Sequence, residues 1–228
     1  MDRMDERAYA GEPSGLRRAV FLDRDGVINR KLPEDRYVRS VDEFHFLPGV
    51  MQALGVLREL GFLLVVVTNQ RGIARGMMTE KDLDDVHAFM RDQAAKWGTP
   101  LDAVYHCPHD KWENCSCRKP KPGMLIQASL DLDIDVARSY LAGDSDSDIK
   151  AGIAAGARTV RILPDDGTRD AEVSPDISSE GLPNETESSA KTMAKVPADF
   201  TFPSLLEFAR FLKGLHCPTD REAVCGNP

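Results

Sequence analysis

Asp23 and Asp25 follow directly on the apolar run Ala19-Val20-Phe21-Leu22, and this abrupt change from buried-strand residues to two carboxylates spaced i, i+2 is the pattern in the chain that speaks most directly of chemistry. Alternate residues of an extended segment share a face. Both carboxylates can therefore reach one pocket at the carboxyl end of a strand, where open α/β sheets bind their ligands. Two anions crowded together repel an anionic substrate, so the pair points to a divalent cation on hard oxygen ligands, most simply Mg2+. An Asp-rich turn that only caps a helix would use the same residues.

Two further apolar runs end in polar residues. The segment 62–67 stops at Thr68-Asn69-Gln70, small polar groups and loop amides suited to phosphate oxygens, or to a plain turn. The segment 139–143 stops at Asp144-Ser145-Asp146-Ser147-Asp148. Asp144, directly after the strand, is the better placed to join Asp23 as a metal ligand, whereas Asp148 could be the N-cap of a helix beginning near Ile149. Between these ends lies Arg118-Lys119-Pro120-Lys121-Pro122, a stiff cationic loop in which Lys119 can bring positive charge to a phosphoryl group.

Cys107, His109, Cys115 and Cys117 place three sulfurs and an imidazole within eleven residues. Such a set suits a closed tetrahedral Zn2+ site of structural type, although the spacing is not the usual Cys-x-x-Cys. Reduced cysteines beside a surface histidine are the alternative. His106 alternates away from Cys107 on a strand and is left out of the set.

The elements that must position these groups follow a βαβ rhythm: strands near 19–23, 62–67, 103–106, 139–143 and 159–163, and helices over 48–60, 79–97, 123–132 and up to 156. That order predicts a parallel sheet in an α/β fold. Thr79 is the expected N-cap of its helix. Residues 1–18 read as an N-terminal tail, 19–163 as the core, and 164–198 as an acidic flexible insertion with eight acidic and three basic side chains. Residues 199–214 read as a closing edge strand and amphipathic helix, and 215–228 as a C-terminal tail.

At 228 residues the chain can bury a core without disulfides. The net charge of −8 argues against a general nucleic-acid binder, and no apolar run is long enough to span a bilayer. The expectation is a monomeric cytoplasmic protein with a small-molecule substrate, bound neither to nucleic acid nor to membrane. A zinc-stabilised module that grips an anion without chemistry is the non-enzymatic alternative. The joint presence of Asp23, Asp25 and Asp144 disfavours it.

Taken in order, Asp-x-Asp-Gly, strand-Thr-Asn, Lys and Gly-Asp-x-x-x-Asp resemble the haloacid dehalogenase superfamily over residues 19–163. The Cys-Pro-His and Cys-x-Cys-Arg-Lys-Pro segments resemble, within it, the heptose-bisphosphate and histidinol-phosphate phosphatase subfamily. The resemblance implies a three-layer, Rossmann-like, cap-free fold in which the zinc loop helps form the rim. It implies that Asp23 attacks phosphorus and becomes an aspartyl-phosphate, and that Asp25 acts as general acid and then base, with a pKa nearer neutrality than that of Asp23. It further implies that Asp23, the Asp25 carbonyl and Asp144 hold Mg2+, that Thr68 and Lys119 stabilise the phosphoryl oxygens, and that Asp148 supports the loop from behind. Asn29, Tyr37, Asn69, Gln70, Arg71 and Arg118 would lie near the substrate. The implied reaction removes the 7-phosphate of a heptose 1,7-bisphosphate, with histidinol phosphate or another small sugar phosphate as the alternative substrate. Two features depart from the family pattern: Ser145 stands where a Lys usually follows the metal Asp, and the stretch 30–36 is longer than usual.

Overall fold

Every residue of the first strand, β1 (Ala19–Leu22), is buried, which requires cover on both faces of the sheet to which it belongs. A computed structural model describes residues 15–33, 35–163 and 196–216. Within them β1 joins β2 (Leu63–Asn69), β3 (Ala103–Cys107), β4 (Tyr140–Gly143), β5 (Arg158–Ile162) and β6 (Phe200–Phe202) in one sheet of order β3-β2-β1-β4-β5-β6. All five pairings are parallel. The chain first builds outward from β1 to β3 and then returns to add β4 on the other side. The order therefore reverses between β1 and β4, and a crevice opens there at the strands' carboxyl ends.

The two-residue period of the strands divides the core. Val20, Leu22, Leu64 and Val66 face α1 (Val50–Glu59), α2 (Glu80–Lys96) and α5 (Leu205–His216). Ala19, Phe21, Val65 and Val67 face α3 (Gly123–Asp131) and α4 (Asp146–Ala155). The result is the three-layer α/β fold that the alternating pattern predicts. The start of α2 is fixed by a capping box in which Thr79 Oγ1 accepts from the Asp82 amide at 3.1 Å and Asp82 Oδ2 accepts from the Thr79 amide at 2.8 Å.

Several boundaries differ from the sequence reading. Helix α4 starts at Asp146 with Ser145 as its N-cap, so Asp148 is the third helical residue and not the cap. Asp148 Oδ2 accepts from both the Ser145 amide (3.0 Å) and its hydroxyl (2.5 Å), reaching back from inside the first turn. Strand β2 runs on through Thr68 and Asn69. Arg17 and Arg18, expected in the tail, are tied to the core by the Arg17 amide on Asp133 O (2.8 Å) and the Arg18 guanidinium on Leu60 O (3.1 Å). Helix α5 continues to His216, into the span expected as tail. The expected insertion falls outside the described residues over 164–195, as do 1–14 and 217–228 of the expected tails. No helix of the described residues is long and apolar enough to cross a membrane.

The last element closes the core. Phe208 of α5 is fully buried, with its ring 5.4 Å from Tyr140 and 5.6 Å from Phe202. Phe208→Ala is expected to cost about 3–5 kcal/mol, seen as a thermal midpoint lower by roughly 10 °C. An unchanged midpoint would mean that β6 and α5 are not part of the cooperative core.

Candidate active site

Asp23 continues the alternation of Ala19 and Phe21 toward the α3/α4 side, just past the end of β1, where its amide donates to Ala142 O at 2.9 Å. Its carboxylate meets Lys119, whose ammonium donates to Asp23 Oδ1 at 2.8 Å and to Val67 O at 2.8 Å and pairs with Asp148 Oδ1 at 2.5 Å. Asp144 completes the group: oxygen atoms of Asp23, Asp144 and Asp148 all lie within 4.8 Å of one another. Burial, reinforced by the charges of Asp148 and Asp144 and opposed by Lys119, pushes the Asp23 carboxyl up to about 7. Burial lowers the affinity of Lys119 for its proton, but Asp148 and Asp23 outweigh it and hold the ammonium above the usual lysine range.

Asp25 lives in a different environment. Arg24, fully buried, donates to both of its carboxylate oxygens from Nη2 at 3.0 and 2.9 Å. Asn29 Nδ2 donates to Oδ1 and Gln70 Nε2 to Oδ2, each at 2.9 Å. Burial alone would raise the Asp25 pKa, yet these donors overcome it and hold it below the usual carboxylate value. The order is the reverse of the expectation that Asp25 titrates nearer neutrality than Asp23. On the far side of Arg24, Nη1 lies 3.2 Å from His87 Nε2 on α2. Burial and the adjacent guanidinium push His87 down to about 3, so a neutral ring accepts from Arg24. Arg24 and His87 were not anticipated. Their signal was a histidine among Leu83, Val86 and Met90 on the buried stripe of α2.

Asp23, Asp25, Thr68, Asn69, Arg71, Tyr37, Arg118, Lys119, Asp144 and Asp148 all line one cavity of about 540 Å³, within the usual range for a small-molecule site. Asn29 and Gln70, expected near the substrate, do not line it; they are buried beneath and hold Asp25, and Gln70 also donates to Thr68 Oγ1 at 2.9 Å. Asn69 has both amide atoms engaged with the Lys119 main chain, accepting from its amide at 3.0 Å and donating to its carbonyl at 3.1 Å. It thereby fixes the lysine loop. At the rim Arg71 donates to Tyr37 Oη (2.8 Å) and to Asp35 (3.0 Å), and Arg118 donates to His109 O (3.0 Å).

The donor sets fit two different metals. Cys107, His109, Cys115 and Cys117 converge, their Sγ and Nδ1 atoms within 4.8 Å of one another and four of the pairs 3.3 to 3.6 Å apart. Ligands about 2.3 Å from a tetrahedral zinc stand about 3.8 Å apart, so little adjustment separates this cluster from a Zn2+ cage. The carboxylate cluster offers only hard oxygens. Asp144 Oδ1 is buried with no hydrogen-bond partner, an atom that a Mg2+ ion would satisfy. The cluster reads as Asp23, Asp144 and Asp148; the Asp25 side chain is turned to Arg24. Lys31, half exposed, also reaches Asp144, with Nζ 2.6 Å from Oδ2.

Comparison with known proteins adds to this geometry. A HAD-hydrolase-like family model matches residues 116–183. A D-glycero-beta-D-manno-heptose-1,7-bisphosphate 7-phosphatase of Yersinia pestis is 46% identical over 148 residues, 62% of this chain and 77% of that one. The alpha-named counterpart of Burkholderia mallei is 43% identical over 155 residues, 65% and 80% of the two chains. The crystal structure of D,D-heptose 1,7-bisphosphate phosphatase from B. bronchiseptica, complexed with magnesium and phosphate, superposes with a TM-score of 0.69 at 31% identity, covering 87% of this chain and 99% of that one. A parallel sheet with paired aspartates after its first strand, a buried lysine and a second acidic strand end is the architecture of a phosphatase of the haloacid dehalogenase type. Within that class, the chain belongs to the D-glycero-D-manno-heptose-1,7-bisphosphate 7-phosphatase family.

The neutral His87 carries a pH signature. Its folded value of about 3 lies below the ordinary 6.5, so as pH falls below 6.5 the unfolded chain takes up a proton that the folded one refuses. Stability therefore drops on acidification across that window, by roughly 1 kcal/mol per pH unit. His87→Gln, which keeps an acceptor for Arg24, should show a shallower fall in urea-unfolding free energy between pH 6.5 and 4.5. Parallel pH profiles for the two proteins would contradict the neutral-ring assignment.

Proposed function

We propose that this enzyme removes the 7-phosphate of D-glycero-D-manno-heptose 1,7-bisphosphate through an aspartyl-phosphate on Asp23. The observation that carries the reading is the buried Lys119 ammonium bridging Asp23 and Asp148 at the floor of the 540 Å³ cavity. Asp23 supplies the nucleophilic oxygen, and Lys119 and the Thr68 hydroxyl meet the phosphoryl oxygens as charge builds on them. Mg2+ held by Asp23, the Asp25 carbonyl and Asp144 would neutralise carboxylate and phosphate charge and keep Asp23 ionised near neutral pH. Asp148 orients Lys119 and Ser145 without touching the phosphate.

Asp25 donates a proton to the departing sugar oxygen and then removes one from the water that hydrolyses the aspartyl-phosphate. Its resting carboxylate, held by Arg24, Asn29 and Gln70, is suited to the second step. An arriving phosphate dianion raises its proton affinity for the first. The B. bronchiseptica relative, crystallised with magnesium and phosphate, supports the metal and the anion.

Arg36, Arg71, Lys111 and Arg118 also line the cavity, outnumbering Asp35, which pairs with Arg71 there. A bisphosphate has a second phosphate for such cations, whereas histidinol phosphate has none, which favours the heptose substrate over the alternative. The zinc loop, with Zn2+ on Cys107, His109, Cys115 and Cys117, would hold the Arg118 side of that cavity in shape. We place residues 19–163 and 199–214 in one catalytic unit, acting as a monomer in the cytoplasm.

Phosphate release with Mg2+ should be fastest on one anomer of heptose 1,7-bisphosphate, well ahead of histidinol phosphate, and Asp23→Asn should lose at least 10³-fold in kcat. Faster turnover of histidinol phosphate would overturn the substrate. Elemental analysis should find one zinc per chain, lost in Cys115→Ala together with thermal stability; a wild-type chain purified without zinc would remove the structural metal from the account.

A further inference from the structure

The acidic floor and its cations do not balance. Asp23, Asp144 and Asp148 bring three carboxylates together, and Lys119, only 3% exposed, is the cation buried among them. A second positive charge arrives from outside. Lys31 places Nζ 2.6 Å from Asp144 Oδ2, and its side chain is 54% exposed while that of Asp144 is 5% exposed. Lys31 belongs to the loop that follows β1 and lines the same cavity as Arg36, Arg71, Lys111 and Arg118.

A divalent ion on the unpartnered Asp144 Oδ1 would stand on the same carboxylate as the Lys31 ammonium on Oδ2, and two cations that close repel each other. With Lys119 and a divalent ion the three carboxylates are neutral, so a further ammonium against Asp144 has no charge left to compensate. A lysine on a four-carbon stem that is 54% exposed can leave such a contact by rotation about its own bonds, its ammonium regaining water as it goes. Released, its ammonium stays at the cavity that Arg36, Arg71, Lys111 and Arg118 also line.

We propose that Lys31 is an exchangeable cation: it occupies Asp144 in competition with the divalent metal and, once displaced, meets the far phosphate of a bisphosphate substrate. The inference deepens the proposed function and rests on its metal site. It makes Lys31 a specificity residue that couples metal loading to recognition of the second phosphate. The loop after β1 then does more than cover the site, because its lysine changes partner when the site becomes competent.

The test is a titration of the full-length, zinc-loaded chain with Mg2+ alone, followed by calorimetry, for the wild type, Lys31→Met, Lys111→Met and Asp144→Asn. Lys31→Met should bind Mg2+ roughly fivefold more tightly, because a competitor for Asp144 is gone. Lys111→Met removes the same charge from the cavity without touching Asp144, and its effect should be smaller. In steady-state assays Lys31→Met should lower the ratio of kcat/KM for heptose bisphosphate to that for a sugar monophosphate by about tenfold, the loss expected for one charge-assisted contact. Unchanged or weaker Mg2+ binding in Lys31→Met, an equal gain in Lys111→Met, or an unchanged substrate ratio would overturn the proposal. Asp144→Asn separates the two levels. If it binds Mg2+ as well as the wild type, the metal site itself is misassigned; if it loses Mg2+ while Lys31→Met behaves as wild type, only the exchange fails.

Discussion

Three carboxylates that converge at strand ends repel one another, and the buried ammonium of Lys119 is what allows Asp23 and Asp148 to share the floor of the cavity. Burial makes this pairing matter, because a charge removed from water is costly unless it is matched. Lys119 is matched on three sides, by Asp23, Asp148 and the Val67 carbonyl. Asn69 fixes its main chain, and the carbonyl of His109, in the Cys/His loop, accepts from its neighbour Arg118. Elements far apart in the chain therefore meet at one nitrogen atom.

The close approach has a steric condition. A Cβ on Gly143 would stand 2.2 Å from the Asp148 Cβ, and one on Gly26 would stand 2.6 Å from Asp144 Oδ2. Glycine at the end of β4 is what lets the first turn of α4 fold back over the strand and bring Asp148 under Lys119. A second layer serves Asp25 in the same way. Arg24 is buried because it has Asp25 on one side and a neutral His87 on the other, and α2 supplies that histidine from an otherwise apolar stripe. The two aspartates of one motif thus sit in opposed environments, one raised by burial and, beyond that, by like charge, and the other lowered by dedicated donors in spite of burial.

The strands were readable because β1, β2 and β4 are apolar runs that stop abruptly at polar residues, and a parallel sheet covered on both faces demands such runs. Asp23 and Asp144 at those ends were readable for the same reason: position directly after a strand fixes where a side chain goes. Asn29 and Gln70 do not line the cavity: Asn29 sits at an isolated bridge to Phe46 and Gln70 just past the end of β2, where spacing along the chain does not say which way an amide turns. Their amides went to Asp25, a partner that only the folded chain reveals. The start of α4 was missed because a run of alternating Asp and Ser offers several possible caps, and packing against Gly143 chooses Ser145. Arg24 escaped notice because a charge between two acids reads as solvated, whereas here it is enclosed by its own neighbour and by α2.

The most direct test of this account is to find the phosphorylated residue. Enzyme quenched in acid during turnover of heptose 1,7-bisphosphate and reduced with borohydride should carry homoserine in place of aspartate at position 23, located by peptide mass spectrometry. Homoserine at position 25 or 144, or a bound phosphate that resists reduction under conditions in which product forms, would contradict the assignment of Asp23 as the nucleophile beside Lys119.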